Sequence, residues 1–221
     1  MRILTFAALC LLAFGSLQTK AQQAPTQTDK DKEYRKKVSE IEEKNKKIAE
    51  NNQKIQESII AGEKAFSEKN YQLAIQKFDE GYNLDPDYPG TAPVLLRNKA
   101  IVLRTLGVEK YNNAINKKQN PAPEANEYFL DSVNALIKAK NILDNAPAPD
   151  SDLLKQDMES SKYNTVKELA ESYRLLVLTD KTKINEAVGA LENYINIEQD
   201  LLRKQQAQEK LKKLKTQFNL H

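Results

Sequence analysis

Residues 61–88, AGEKAFSEKNYQLAIQKFDEGYNLDPDY, constrain the fold more than any other part of the chain. Ala74 and Phe78 are one helical turn apart, so they share one face of a helix and can pack against a preceding helix. Gly62 has no side chain, which lets two helices approach closely. Pro86 cannot continue a helix, so the second helix must end before it. The stretch therefore predicts two packed helices joined by a short turn.

With Tyr71 following the turn, this order of residues resembles the tetratricopeptide (TPR) repeat family. The resemblance is carried by Gly62, Tyr71, Ala74, Phe78 and Pro86. It implies a solenoid of helical hairpins that binds a protein or peptide in a groove and has no chemistry of its own. Groove contacts in the family come mainly from the first helix of each repeat, which here implies Lys64, Lys69, Asn98, Arg104 and Lys110 as exposed groove residues. Their mostly basic character favours an acidic ligand or a free carboxylate.

Two later stretches repeat parts of this spacing. In residues 100–147, Gly107 corresponds to Gly62, and Phe129, Ser132, Leu136 and Ala139 repeat the spacing of Tyr71, Ala74, Phe78 and Gly81, with an insertion of 13 positions around 117–124. In residues 164–198, Ala187, Leu191 and Tyr194 repeat the spacing again, without the glycine in the preceding helix. Together with residues 55–88, these stretches predict TPR-like repeats over 55–198. We expect residues 199–221 to form a charged C-terminal helix, with residues 198–218 extending the last helix of the third pair.

Residues 31–60 carry a different pattern, a heptad repeat over about four heptads. Tyr34, Ile41, Ile48 and Ile55 fall at the d position, and Val38, Asn45, Asn52 and Ile59 fall at the a position. The pattern predicts a long coiled-coil helix that continues without Gly or Pro into the first repeat. We call the residues at these a and d positions the heptad seam.

The heptad seam alone does not determine which surface this helix packs against. Asparagine at a favours an in-register dimer, since Asn pairs with Asn across the interface, and Lys37 could pair with Glu42 of a parallel chain. Isoleucine at d is more typical of trimers and tetramers. Alternatively, the helix folds back on its own repeats, or the two asparagines mark solvated gaps. The sequence therefore predicts a homo-oligomer through residues 34–59 only as one of several arrangements.

The N-terminus has the order of a secretory signal peptide. Arg2 precedes an apolar run over residues 3–17, and small residues precede a cleavage point after Ala21. The run is shorter than the roughly 20 residues needed to span a bilayer. Cys10 lies inside the run and follows a leucine, which argues against lipid attachment. We expect residues 1–21 to be removed, residues 22–30 to form a disordered linker, and the protein to be periplasmic or secreted.

Composition gives little support to catalysis or nucleic-acid binding. The chain has one cysteine, at position 10, and one histidine, His221, so thiol, histidine-base and typical zinc sites are not expected. The formal charge is only +3 for the whole chain. We therefore expect no cofactor and no metal. The sequence favours an all-α, non-catalytic exported adaptor or scaffold; a structural envelope protein and a holdase-like chaperone for exported chains are the alternatives.

Overall fold

A computed structural model describes residues 29–220, and regular structure in that range is entirely helical. The α-helices within it are α1 Asp29–Ser67, α2 Tyr71–Leu84, α3 Ala92–Asn116, α4 Ala122–Asp144, α5 Asp152–Leu176, α6 Ile184–Ile197 and α7 Leu201–Gln217. A single 3-10 turn, Lys181–Lys183, precedes α6. The all-α prediction is confirmed for the described residues.

The chain divides into two units, residues 1–45 and residues 46–221. The described part of the first unit contains only the beginning of α1. The second unit contains the rest of α1 and the helices α2 to α7. The expected disordered linker at 22–30 lies mostly outside the described residues, and Asp29 and Lys30 already belong to α1.

Side-chain caps fix where three of the helices begin. The backbone N–H of Leu73 donates to Asn70 Oδ1 at 3.3 Å, which caps α2. Ser151 Oγ accepts from the N–H of Leu154 at the start of α5, and Asp200 Oδ1 accepts from Arg203 N–H at the start of α7. Each cap satisfies a backbone donor that has no partner within its own helix. At the other end, α2 stops at Leu84, two residues before Pro86.

The helices α2, α4 and α6 begin with the same arrangement of buried side chains. Three residues after each first residue stands a fully buried alanine, and four positions later a large apolar residue at most 2% exposed. These pairs are Ala74 with Phe78, Ala125 with Phe129, and Ala187 with Leu191. The spacing of four puts both members of each pair on the helix face that packs into the core.

Glycine in the preceding helix makes room for the two phenylalanines. A Cβ atom built on Gly62 would lie 2.5 Å from the ring of Phe78, and one built on Gly107 would lie 2.6 Å from the ring of Phe129. Both distances are far below van der Waals contact, so neither position has space for a side chain. The third helix pair has Leu191 in place of phenylalanine and no glycine in α5. The large ring and the glycine therefore occur together.

This packing corrects the predicted alignment of residues 100–147. Phe129 takes the place of Phe78, whereas the sequence alignment had matched it with Tyr71, and Ala125 takes the place of Ala74. Gly107 precedes Ala125 by 18 positions and Gly62 precedes Ala74 by 12, so the surplus is six residues and not 13. It consists of a longer end of α3 and a longer loop before α4. The first helix of this pair begins at Ala92, eight residues before the predicted repeat boundary at residue 100.

The heptad seam is also shorter than predicted. Ile55 is fully buried in the main core cluster with Ala74 and Phe78, and Ile59 packs against the same cluster. These two seam residues already have their partners within the chain. Tyr34, Ile41 and Ile48 are exposed. Of the heptad seam, the a and d positions from Tyr34 to Asn52 lie outside this core cluster.

Candidate functional site

A buried polar network joins α3, α4 and α5 at the centre of the second unit. Arg104 Nη2 lies 2.5 Å from Glu168 Oε2, and Nη1 donates to the backbone carbonyl of Glu168 at 3.2 Å. Nη1 also lies 3.3 Å from Ser172 Oγ, which is 2.9 Å from Ser132 Oγ. Ser132 in turn donates to the carbonyl of Ala100 at 2.8 Å. Both serines are fully buried, so the network fixes how the three helices pack.

Arg97 lies two turns before Arg104 on the same side of α3. Burial lowers the pKa of its guanidinium, and the charge of Glu168 acts in the opposite direction. Among the described residues, no hydrogen bond to its side chain is found. Of the two arginines on this face of α3, Arg104 therefore has hydrogen-bond partners for its buried guanidinium, and the half-buried Arg97 has none among the described residues.

A charged cavity of about 290 Å³ lies beside this network. Its apolar floor is formed by small and apolar side chains of α5, α6 and α7, including Ala170, Leu191 and Ala207. Charged and polar side chains surround the floor: Arg104, Lys167, Glu168, Glu171, Arg203, Gln206 and Lys210. Four cations face two carboxylates, so the cavity has an excess of positive charge. We call it the α5–α7 cavity.

The carboxylate of Glu171 is held by cations of its own chain. Arg174 Nη2 lies 2.7 Å from Glu171 Oε1, and Lys210 Nζ lies 3.0 Å from Oε2. Burial alone would raise the pKa of Glu171, but the bonds from these two cations lower it to about 2. Lys167 has no such partner in the part of the chain that the structure describes. Lys167 is therefore the cation of the cavity that is freest to meet a ligand.

Glu198 forms the joint between α6 and α7, and its side chain is almost completely buried. It accepts hydrogen bonds from the hydroxyl groups of Tyr163 and Tyr194 and from the backbone N–H of Asp200, the last at 2.9 Å. Burial would raise the pKa of Glu198, but the two tyrosine hydroxyls and the N–H lower it to about 2. This buried joint ends α6 at Ile197, so the charged sequence that follows does not extend that helix. Leu201–Gln217 form the separate helix α7.

The five predicted groove residues lie on α1, on α3 and at the turn between α1 and α2. Lys64 and Lys69 lie at the turn between α1 and α2, and Lys110 Nζ lies 3.6 Å from Glu124 near the turn between α3 and α4. Asn98 is half-buried on α3 and does not line the α5–α7 cavity. Only Arg104 lines it, and Arg104 is not exposed as expected, since its side chain is paired with Glu168.

The sequence prediction missed most of the residues that do line the cavity. Lys167, Glu168 and Glu171 lie within about one turn of α5, and Arg203 and Lys210 are two turns apart on α7. Charged residues on one face of a helix are ordinarily in contact with solvent. Their pattern in the sequence therefore did not indicate a site. The missing signal was that α7 returns beside α5, which depends on the break at Glu198.

Some predictions lie outside the described residues. The signal peptide, its cleavage after Ala21 and Cys10 fall within residues 1–28, and His221 is the last residue. Within the helices that are described, none is long and apolar enough to cross a membrane. No group of three or more potential metal ligands is found in residues 29–220. Comparison with protein-family models, with curated proteins and with solved structures finds no match to this chain.

Proposed function

We propose that the chain is a non-catalytic exported adaptor whose helical pairs form a TPR-like solenoid and whose α5–α7 cavity receives part of a protein ligand. The observation that carries the proposal is the cavity itself, with four cations and two carboxylates over an apolar floor. The equal registers of α2, α4 and α6 and the two glycine–phenylalanine contacts support the repeat architecture. Export rests on the order of residues 1–21 in the sequence.

The charge of the cavity favours a ligand segment that carries carboxylates. Glu168 and Glu171 are each paired with a cation of the chain, and Lys167 is not. An incoming carboxylate can bind Lys167 without breaking an existing pair, and it can compete with Glu171 for Lys210. The apolar floor would hold a neighbouring side chain of the ligand. Such a mixed site, apolar with a few convergent polar groups, is typical of ligand recognition.

The test is site-specific photo-crosslinking in the native cell envelope. A photoreactive residue at Gln206, which lines the cavity, should give a discrete protein adduct. The same residue at Gln205, which is exposed but does not line the cavity, is the matched control. The substitution Lys167→Glu should greatly weaken the Gln206 adduct. Equal adducts at both positions, or an adduct that is insensitive to Lys167→Glu, would contradict binding in the cavity.

A holdase-like chaperone is the second candidate, because one set of large apolar side chains is exposed at helix ends. Its members are Leu153 and Leu154 in the first turn of α5, Ile197 at the end of α6, and Leu201 and Leu202 in the first turn of α7. A holdase would bind unfolded clients through such side chains. Suppression of the aggregation of a denatured exported protein, reduced by Leu201→Asn with Leu202→Asn, would favour this function over the adaptor.

A further inference from the structure

The first part of α1 carries an apolar stripe that no described residue covers. Tyr34, Ile41 and Ile48 share the d position and are 70, 57 and 49% exposed. Ile55, the next residue at the same position, is 0% exposed. One stripe therefore runs from a part packed in the core of its own chain to a part without a partner. The part of the heptad seam outside the core cluster, at the a and d positions Tyr34, Val38, Ile41, Asn45, Ile48 and Asn52, is called the free seam below.

Local interactions on α1 are too weak to account for a helix of this length. Its described ion pairs before residue 52 include Lys37 with Glu33 at 2.7 Å, and Lys36 with Glu40 and Lys46 with Glu50 near 4 Å. All six side chains are more than half exposed, where such pairs contribute little. Helices in proteins obtain most of their stability from packing an apolar face. The free seam therefore needs a partner surface.

Asn45 and Asn52 decide what that partner is. Both are exposed and both occupy the a position within the stripe. An apolar groove on another protein would bury their amide groups without hydrogen bonds. An identical helix in parallel and in register places Asn45 opposite Asn45 and Asn52 opposite Asn52, so each amide meets an amide. An antiparallel copy would place asparagine opposite isoleucine, because a then faces d.

Charge at the edge of the stripe agrees with the parallel arrangement. Lys37 occupies a g position and Glu42 the following e position, so they can pair between two parallel chains in both directions. Lys44 at the next g position faces Ala49 and meets no like charge. We propose that the partner is a second copy of this chain, bound in parallel and in register along the free seam. The two copies would together present two α5–α7 cavities.

Disulfide trapping tests orientation and register in the full chain with Cys10→Ser. Val38→Cys and Asn52→Cys place a cysteine on the free seam, and Ser39→Cys and Gln53→Cys are their neighbours on the outer face. Under mild oxidation, both seam variants should form disulfide-linked dimers faster than both neighbours by at least about tenfold, because only facing cysteines meet the geometry of a disulfide. The four variants differ only in which side of α1 carries the cysteine.

Each other outcome overturns the proposal. If disulfides formed at equal rates at the seam positions and at their neighbours, the cysteines would be meeting by random collision of separate chains. Trapping at neither residue 38 nor residue 52 would mean an antiparallel or staggered pair, and trapping at only one of them would mean that the two helices are in contact over only part of the free seam. Sedimentation of the unmodified chain should show a dimer, and a monomer, trimer or tetramer contradicts a pair of copies. Asn45→Ile combined with Asn52→Ile should move the assembly toward trimers or tetramers, since isoleucine then fills both core positions.

Discussion

At the scale of single residues, the space beside a phenylalanine ring decides which residue its neighbour can be. Gly62 and Gly107 lie so close to Phe78 and Phe129 that a methyl group would overlap the ring. Gly189 in α6 has no atom within 4 Å of the position its Cβ would take. We therefore expect alanine at Gly62 or Gly107 to lower the stability of the fold, and alanine at Gly189 to raise it.

We predict that Gly107→Ala destabilises the protein and Gly189→Ala stabilises it. The first substitution overpacks the core at a cost of about 1–3 kcal/mol, partly offset by better helix propensity. The second keeps only the propensity gain of about 0.5–1 kcal/mol. Urea unfolding followed by circular dichroism measures both. Adding Phe129→Leu to Gly107→Ala should recover part of the loss; no recovery would mean that the ring is not the source of the strain.

Substitutions at Ile55 and Ile48 test where the heptad seam stops packing against the core of its own chain. Ile55→Ala removes a fully buried side chain and should lower the free energy of unfolding by about 2–4 kcal/mol. Ile48→Ala changes an exposed side chain and should leave the unfolding of the second unit nearly unchanged, within about 0.5 kcal/mol. Both measurements belong at a protein concentration low enough to keep the chain monomeric. Equal losses would contradict the boundary between Asn52 and Ile55.

At the scale of helices, the sequence predicted the end of α2, because a proline acts locally. The N-cap Ser151 and the end of α2 before Pro86 follow from neighbouring residues. The alignment of α4 failed because Ala125–Phe129 and Ser132–Leu136 have the same spacing, and only contact with Gly107 distinguishes them. The C-terminal helix was predicted, but its separation from α6 was not, because the break at Glu198 depends on Tyr163, which is distant in sequence.

We predict that the joint between α6 and α7 weakens in acid. Since the pKa of Glu198 is lowered to about 2 from its ordinary value of 4.5, its charged form stabilises the folded chain above about pH 4.5. This contribution is lost as the pH falls toward 2. Glu171, whose pKa is lowered similarly, acts in the same direction.

Glu198→Gln isolates the contribution of the joint. The variant should be less stable than the unmodified chain at about pH 7, and the difference should shrink as the pH approaches about 2. Glu209→Gln, an exposed carboxylate on α7, is the control and should show little change. Chemical denaturation at several pH values gives the comparison. A difference that stays constant with pH would mean that the charge of Glu198 does not stabilise the joint.

At the scale of the whole molecule, the sequence predicted the class of fold but not the site. Helical periodicity and the positions of Gly, Ala and Phe can be read directly from the sequence. They are enough to predict an all-helical protein with paired helices. The α5–α7 cavity depends on residues from three helices, and Arg104 was expected to be exposed although Glu168 pairs with it. Which charges meet is a property of the folded arrangement and has no counterpart in local spacing.

Truncation should locate the beginning of the folded repeat region. A chain that starts at Gln53 keeps Ile55 and should unfold cooperatively with nearly unchanged stability as a monomer. A chain that starts at Ser58 lacks Ile55 and should lose about 2–4 kcal/mol, as a buried isoleucine replaced by a cavity does. Circular dichroism melts and sedimentation compare the two. Equal stability of the two truncations would contradict the place of Ile55 in the core.

The contact between Gly107 and Phe129 also fixes the order in which such a pair can change over generations. If alanine replaces the glycine first, the intermediate chain carries an overlap with the ring and is selected against. If leucine replaces the phenylalanine first, the intermediate carries only a small void, and the glycine is then free to mutate. The helix pair with Leu191 and no glycine in α5 carries the combination to which that second order would lead. By this argument, such a pair can lose the ring before the glycine more easily than the glycine before the ring.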